Sequence, residues 1–509
     1  MGTRTDEGER RPELGQRAHS VAKSRSGGAA VAGTGGGGGG RGGRNPGGVL
    51  RLRTLQPHRK QAVGAGERIW LRVCMDGEAA TTSSGAGGRG CGLSPETFPL
   101  LFDSDGRLVR ESQFRKLIFR GGGVDPSIRK DAWKFLFGMY PCTSTTRERK
   151  TLALELYVRY KMMKCRWQSL IPSGTTMRVD ESDTDLYEAA LAYQQTGGNL
   201  EGQEVDLSEE KSEQMTFIEL QAKVYVDRQR IDLHELHEAI RIIDKDVPRT
   251  ERVLDYYQKE GAINLMVLRD ILITFAAFHP DVSYAQGMND LVSRFLEVLD
   301  SEVDAYWCCA FYFEKVSFDF KEEGLIRKIR LEEQLLKELD SQLHAHLLRD
   351  DVNGLTFCHR WLLLGFQREF EHSDAIRLFE ILSSHHLELN SLEAERARDS
   401  ERMSYFEREE GQIRPELPSA NIDYTFELFI CAAILLEKRD LLLKCMDEVE
   451  LIQFTKSLQG TLNLNNILKR AEQTFFHYCN KSVLDCFKKL YTEQKKKSLF
   501  GFKLMNLFS

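Results

Sequence analysis

The stretch at 243–250 has the sequence IDKDVPRT and carries an arginine whose setting suits phosphoryl-transfer chemistry. Arg249 lies directly behind a proline, and Asp246 lies three residues before it. A guanidinium is planar, always charged and forked, so it neutralises charge that develops on phosphoryl oxygens. Asp246 is close enough in sequence to hold that guanidinium by a charge-assisted hydrogen bond. Taken alone, the pattern also fits an ordinary surface ion pair near the end of a helix.

A second polar stretch, at 283–290, has the sequence SYAQGMND and offers a glutamine beside a glycine. The carboxamide of Gln286 can accept a hydrogen bond from water and donate one to a phosphate oxygen. Gly287 permits a positive φ or a close backbone approach, and Tyr284 is placed to fix the loop. The alternative is a polar turn that only joins two core helices. GTP hydrolysis most needs two side chains: an arginine that neutralises the developing charge and a glutamine that orients the attacking water.

In this order, about one helix and one loop apart, the two stretches resemble the signature motifs of the TBC domain, the catalytic module of Rab GTPase-activating proteins. The pattern Ile243-x-x-Asp246-x-x-Arg249 resembles the arginine-finger motif of that family. The pattern Tyr284-x-Gln286 resembles its glutamine-finger motif. Either motif alone is weak evidence, whereas the ordered pair in a helical chain is a specific signal.

Further segments agree with this resemblance, which covers roughly residues 115–475. The matching segments are an opening helix with Arg129 and Trp133, then 302–308, 357–363, 368–370 and 377–380. The last of these has the sequence RLFE, in which Phe379 stands where the family usually has tryptophan. Because both residues bury a large aromatic ring, we expect this departure to change packing more than chemistry.

The resemblance implies an all-α domain that binds the switch regions of a Rab-family small GTPase and regulates vesicle trafficking. Arg249 and Gln286 are the expected catalytic residues, supplied in trans, so the chain is expected to be a catalytic activator rather than a stand-alone enzyme. The expected supporting residues are Asp246, which orients the arginine, Tyr284, which shapes the glutamine loop, Ile243 and Gly287. No metal or cofactor of the chain's own is implied, because GTP and Mg²⁺ are bound by the GTPase. The alternative is a non-catalytic Rab-binding adaptor.

Composition sets broader limits on the protein. The chain has 509 residues, a net charge of −6 and 41% hydrophobic residues, which allows a substantial core and argues against a dedicated nucleic-acid binder. Its 11 cysteines include no CxxC pair and no cluster with histidines at zinc spacing. We therefore expect reduced thiols in a cytoplasmic protein. Whether the protein also contacts endomembranes peripherally is left open. The oligomeric state cannot be read from these features.

Apolar residues recur with a helical period from Leu233 almost to the end of the chain. The predicted helices cover 147–169, 262–278, 288–299, 303–315, 325–349, 356–370, 374–384, 422–437, 439–446, 463–480 and 482–492. Upstream, Asp125 as N-cap and Pro126 at the first helical position predict the start of another helix. No segment has the alternation of a strand between hairpin turns, so the predicted class is all-α and multi-helical.

Four regions follow from composition and from the extent of the resemblance. Residues 1–90, rich in Gly, Ser and Arg, cannot bury enough apolar surface to fold and are predicted to be disordered. A lead-in segment at 91–114 precedes the TBC-type domain at 115–475. Residues 476–509 contain a predicted helix and a basic, aromatic tail, for which membrane insertion and packing on the domain are equally open alternatives.

The domain contains two predicted inserts. The acidic, polar segment 179–215 lies before the arginine motif and is predicted to be a loop. The highly charged segment 390–420 is predicted to be either an exposed helix or disordered. We expect neither insert to touch the finger residues, so that both affect the choice of substrate and not catalysis.

Overall fold

The described part of the chain is built from α-helices and short 3₁₀ turns. The structure is a computed structural model, and it describes residues 92–171, 177, 179, 182–196, 212–349, 354–408 and 424–483. Over these residues it contains no β-strand and only two isolated bridge pairs. The predicted all-α class is therefore confirmed.

The helices are numbered in chain order. They are α1 (Glu111–Gly121), α2 (Arg129–Leu136), α3 (Thr146–Leu170), α4 (Thr184–Gln195), α5 (Ser212–Arg228), α6 (Leu233–Asp246), α7 (Ile263–Phe278), α8 (Met288–Leu299), α9 (Glu302–Val316), α10 (Glu322–Leu339), α11 (Ser341–Leu347), α12 (His359–Leu364), α13 (His372–Ser383), α14 (Leu392–Arg408), α15 (Phe426–Glu437), α16 (Arg439–Leu442), α17 (Glu448–Ser457) and α18 (464–483).

Side-chain caps explain where several helices begin. At α3 the hydroxyl of Thr145 accepts from the Glu148 amide at 3.2 Å, and the Glu148 carboxylate accepts from the Thr145 amide at 2.8 Å. Such a reciprocal box satisfies two backbone donors that the helix leaves unpaired. Asp183 and Asp232 cap α4 and α6 more simply, with carboxylates that accept from backbone amides of the first turn. The predicted cap Asp125 is present too, although the turn that it opens is 3₁₀ before α2 begins.

Two hydrophobic cores organise the helices. The larger core gathers apolar residues from 93 to 313 together with Leu364, Ile376 and Phe379, and α7 is buried along its length from Leu265 to Phe278. By length and composition Lys259–Phe278 is apolar enough to cross a membrane, but 83% of its apolar window is buried inside the protein. A helix that is apolar on all sides and enclosed by others is a core helix. The second core joins α10 to α18 and includes Phe119 from α1.

Glu380 on α13 ties the second half of the domain to α2. Its fully buried carboxylate accepts hydrogen bonds from Arg129 Nε at 2.7 Å, Trp133 Nε1 at 2.7 Å and the Val124 amide at 2.8 Å. Burial raises the pKa of Glu380, and the three donors oppose that rise. These contacts bring together Arg129, Trp133 and Glu380, three of the residues on which the resemblance rests.

The prediction of a loop over 179–215 is wrong in the described part of that range. Helix α4 occupies Thr184–Gln195, and α5 begins at Ser212. Leu186, Ala190 and Tyr193 recur with helical spacing, so one face of α4 is buried against α7. The acidic composition of the segment concealed this short apolar stripe.

Two predicted helices are interrupted where the backbone leaves helical geometry. The range 325–349 breaks at Asp340, whose extended backbone and capping carboxylate end α10 and start α11. The range 356–370 contains a 3₁₀ turn at Thr356–Cys358 and the short α12, which ends because Gly365 takes a left-handed conformation with φ +60° directly after Leu364. Helix α17 was not among the predicted helices, and α18 passes through the predicted break near residue 481.

The described part of the second insert is a helix. Within 390–420, α14 covers Leu392–Arg408, and Glu393 at its start lies 2.7 Å from Arg120 and 3.1 Å from His386. The hydrogen bond with His386 and the charge of Arg120 lower the pKa of Glu393 to about 2. The predicted disorder of residues 1–90 and the alternatives for the C-terminal tail lie outside the described residues.

Candidate active site

Arg249 lies just beyond α6, at the end of a 3₁₀ turn formed by Val247–Arg249. The apolar face of α6, which includes the fully buried Ile243, packs on the larger core. Pro248 fixes its own φ and lacks an amide donor, so the helix ends here. Val247 is buried beneath the turn, whereas the side chain of Arg249 is 62% exposed. The guanidinium is therefore exposed to solvent, whereas the turn that carries it is packed on the core.

Asp246, the last residue of α6, holds two side chains at once. Its own side chain is only 3% exposed. One carboxylate oxygen accepts a hydrogen bond from Arg249 Nη2, and the other accepts from the hydroxyl of Tyr284 at 2.8 Å. The hydrogen bond to Asp246 raises the pKa of Arg249, and burial raises the pKa of Tyr284. Because a buried carboxylate is costly without partners, Asp246 favours conformations that keep Arg249 close.

Gln286 lies on the loop between α7 and α8, and its side chain is exposed. The loop contains two left-handed residues, Ser283 with φ +54° and Gly287 with φ +99°. A Cβ at Gly287 would lie 2.9 Å from Leu364 Cδ2 on α12. The positive φ therefore favours glycine at this position, and any larger residue would also displace the Leu364 methyl. Gly287 fixes the direction in which the chain carrying Gln286 enters α8.

A ring of buried polar contacts joins the arginine turn to the glutamine loop. The hydroxyl of Tyr284, which donates to Asp246, also lies 3.1 Å from Asn289 Oδ1. Asn289 Nδ2 donates to Thr250 Oγ1 at 2.9 Å, and the Thr250 hydroxyl donates to the Asp246 carbonyl at 2.9 Å. The ring therefore fixes the positions of the two predicted motifs relative to each other.

Two further contacts anchor this region to the segment that follows α12. Gln367 Nε2 donates to Glu251 Oε1 at 2.8 Å, and Arg368 Nη2 donates to Asp290 Oδ2 at 2.8 Å. Glu251 has φ +44°, a conformation that residues other than glycine rarely adopt. The surrounding contacts must offset that strain, which costs on the order of 1–3 kcal/mol. The site therefore lies where segments from both cores meet.

Sequence reasoning did not select Thr250, Asn289 or Gln367 as part of the site. The local signal was the pair Asn289-Asp290, two adjacent polar residues in the first turn of a helix. Such residues are often satisfied by solvent, and only the packed structure identifies their partners.

Comparison with known proteins assigns the family. Residues 126–392 match the family model described as the Rab-GTPase-TBC domain. The chain belongs to the RabGAP-TBC family. The TBC resemblance stated from the two motifs is thereby confirmed.

Individual relatives are distant. TBC1 domain family member 17 of Homo sapiens is 28% identical over 386 residues, which cover 75% of this chain and 46% of that protein. GTPase-activating protein GYP7 of Yarrowia lipolytica is 26% identical over 381 residues, covering 74% of this chain and 43% of that protein. This chain thus spans less than half the length of these relatives. The crystal structure of the Ypt/Rab-GAP domain of Gyp1p aligns with a TM-score of 0.47 at 19% identity, covering 75% of this chain and 95% of that one.

In this TBC domain, Phe379 packs among aromatic rings where the family usually has tryptophan. Its ring centroid lies 5.8 Å from that of Trp133 and 5.2 Å from that of Phe137. The buried guanidinium of Arg294 lies 4.7 Å from the same ring, a favourable cation–π distance. Burial lowers the pKa of Arg294 to about 10. The contacts of Phe379 therefore lie inside the core, away from the exposed side chains of Arg249 and Gln286.

Replacement of Tyr284 by phenylalanine tests the polar ring of the TBC domain. The variant leaves one oxygen of buried Asp246 without its donor, so we expect the free energy of unfolding to fall by about 1–3 kcal/mol. Urea denaturation followed by circular dichroism measures this change. Tyr187→Phe, at an exposed position of α4, is the matched control and should change stability by less than about 0.5 kcal/mol. Equal stability of the two variants would contradict the assigned role of the ring.

Proposed function

We propose that this chain activates a Rab-family small GTPase by supplying Arg249 and Gln286 to the GTP bound by its partner. The observation that carries the proposal is the pairing of two exposed side chains on two loops locked together by buried contacts. A TBC domain that only binds its partner requires neither that arginine nor that glutamine. Family membership and the names of GTPase-activating relatives support the same conclusion.

The proposed task of Arg249 is electrostatic. Charge spreads over the phosphoryl oxygens in the transition state, and a guanidinium placed there is worth about 10³ to 10⁵ in rate. The hydrogen bond to Asp246 already limits the orientations of Arg249 in the free protein. Less conformational entropy is then lost when the guanidinium engages the nucleotide. Its exposed face remains free to donate to phosphate oxygens.

The proposed task of Gln286 is to orient the attacking water. Its carboxamide oxygen accepts from the water while its amide donates to a phosphate oxygen, which places the nucleophile in line. Because the loop is fixed by Tyr284 and Gly287, the carboxamide is delivered at a set position relative to Arg249. GTP and Mg²⁺ are the partner's in this proposal, so the chain needs no cofactor of its own.

We also propose that the protein is located in the cytoplasm, where it would bind its Rab-family partner. Every cysteine in the described part of the chain is a free thiol, which suits a reducing compartment. Seven of these thiols have a pKa that burial raises, so they are poorly reactive in the folded protein; they are Cys142, Cys308, Cys309, Cys358, Cys431, Cys445 and Cys479.

A panel of purified Rab proteins tests the activity. Each Rab is loaded with GTP, and phosphate release is followed in a single turnover with and without an excess of the chain. We expect one or a few members to hydrolyse GTP at least about 10³-fold faster. Binding without acceleration of any member would support the adaptor alternative and overturn the proposal.

Replacement of Gln286 by alanine should lower the stimulated rate on the responsive Rab by about 10²-fold, the usual effect of losing one transition-state contact. The half-saturating concentration of the chain should change little, because the lost contact serves the water and not the docking. Gln334→Ala, at an exposed position of α10, is the matched control and should retain the full rate. A Gln286→Ala variant as active as Gln334→Ala would remove the glutamine from the mechanism.

A further inference from the structure

The three residues that follow the proposed arginine finger are each tied to a different part of the fold. Thr250 is bonded to Asn289 of α8, and Glu251 is bonded to Gln367 beyond α12. The third, Arg252, reaches the insert before the arginine motif. We propose that Asp183, in the insert at 179–215, acts through Arg252 as a positioning residue for Arg249. The insert then contributes to catalysis. This inference rests on the proposed function.

The contact between the insert and the finger loop is bidentate. Arg252 Nη1 lies 2.9 Å from Asp183 Oδ2, and Arg252 Nη2 lies 3.0 Å from Asp183 Oδ1. Arg252 Nη1 also donates to the Pro248 carbonyl at 3.3 Å, which belongs to the residue directly before Arg249. One guanidinium therefore bridges the start of α4 and the 3₁₀ turn that presents the finger. Two parallel hydrogen bonds fix orientation as well as distance.

The other end of this bridge is rigid. Besides pairing with Arg252, Asp183 caps α4 by accepting from the Leu186 amide at 3.2 Å. Further along α4, the Tyr193 hydroxyl donates to Asp270 of α7 at 2.9 Å. Asp270 is in turn paired with the buried Lys164 of α3 at 2.9 Å. The finger loop is thus connected through α4 to the centre of the larger core.

The bridge should matter more for geometry than for overall stability. Its side chains are 26% and 33% exposed, and ion pairs in such settings add little to the free energy of folding. A loop that carries a strained residue, Glu251, relaxes readily when one of its anchors is lost. A displacement of about 1 Å at a catalytic group is enough to reduce rate by up to about 10²-fold. Asp183 contacts Arg252, three residues after Arg249, so the insert reaches the loop that carries the finger without relying on a contact to Arg249 or Gln286 themselves.

The test uses the full chain with Asp183→Ser. Serine caps a helix as well as aspartate does but is too short to pair with Arg252, so the variant removes the bridge and keeps α4. Asp340→Ser is the matched control. Asp340 caps α11 and lies 2.6 Å from Arg439, with both side chains partly exposed as in the bridge. Each variant loses an ion pair between a helix-capping aspartate and an arginine, but only the bridge lies next to the finger loop.

Two measurements are made on each variant: the maximal single-turnover rate on a responsive Rab, and hydrogen–deuterium exchange of the free chain over 247–254. For Asp183→Ser we expect a rate about tenfold lower at saturating concentration. The concentration for half-saturation should change little, and amide exchange across the finger loop should be faster. Asp340→Ser should match the wild type in both measurements.

Each outcome bears on the inference. Wild-type rate and exchange in Asp183→Ser, or equal losses in the two serine variants, would overturn it. If the wild type accelerates no Rab, the proposed function fails, and exchange alone then decides whether the bridge orders the loop. Unchanged exchange in that case would also overturn the inference, whereas faster exchange confined to Asp183→Ser would support the positioning role.

Discussion

Replacement of Arg249 by alanine is expected to lower the stimulated rate of GTP hydrolysis by about 10³-fold or more. The guanidinium is the only proposed source of positive charge that this chain brings to the phosphoryl group, and no neutral side chain can replace it. Arg249→Lys should recover little, because an ammonium lacks the forked donors. Single-turnover phosphate release from a responsive Rab at saturating concentrations of each variant measures the effect.

Arg241→Ala is the matched control for this prediction. Arg241 lies on the preceding helix α6, is exposed and pairs with Glu238 three residues before it, as Arg249 pairs with Asp246. We expect this variant to retain the wild-type rate. Circular dichroism should be unchanged in both variants, because both side chains are largely outside the core. An Arg249→Ala variant with the rate of Arg241→Ala would contradict the finger assignment.

Replacement of Glu380 by alanine is expected to lower the free energy of unfolding by about 3–5 kcal/mol. The change removes the acceptor of three donors, Arg129 Nε, the indole of Trp133 and the Val124 amide, and leaves the charge of Arg129 without its carboxylate partner. An unpaired buried charge accounts for most of the expected loss. Urea denaturation gives the free energy directly, and the activity of the folded fraction should persist.

Glu388→Ala provides the control for that measurement. Glu388 lies soon after α13, is partly exposed and pairs with His385 at 2.7 Å. Exposed ion pairs of this kind contribute about 0–1 kcal/mol, so little change is expected. If Glu380→Ala were no less stable than Glu388→Ala, the buried carboxylate would not be what joins α2 to α13.

The predictable parts of this fold are those that depend on local sequence. The apolar stripes of α3, α7 and α8 gave their bounds to within a few residues, since burial of one face follows the helical period. The break at Asp340 was not foreseen, because periodicity continues across a capped kink. The residues of α4 were wrongly predicted to be a loop, because the apolar stripe of this helix is short and lies among charged residues.

The candidate site divides in the same way. Arg249 and Gln286 were selected from residue type, spacing and family resemblance, and the contact between Asp246 and Arg249 is within local reach. The contact of Tyr284 with Asp246 and the bridge from Arg252 to Asp183 join residues far apart in sequence. No period or motif encodes such pairs, because they arise only when the packed helices bring the loops together.

The most direct test of the proposed mechanism is the affinity for a Rab in its transition-state form. A responsive Rab is loaded with GDP, and binding of the chain is measured with and without aluminium fluoride, which mimics the phosphoryl group in transfer. If Arg249 stabilises the transition state, binding should be at least about 10²-fold tighter with aluminium fluoride, and Arg249→Ala should lose that gain. Equal affinity of the wild type for both forms would contradict it, because a finger that enters the transition state must distinguish them.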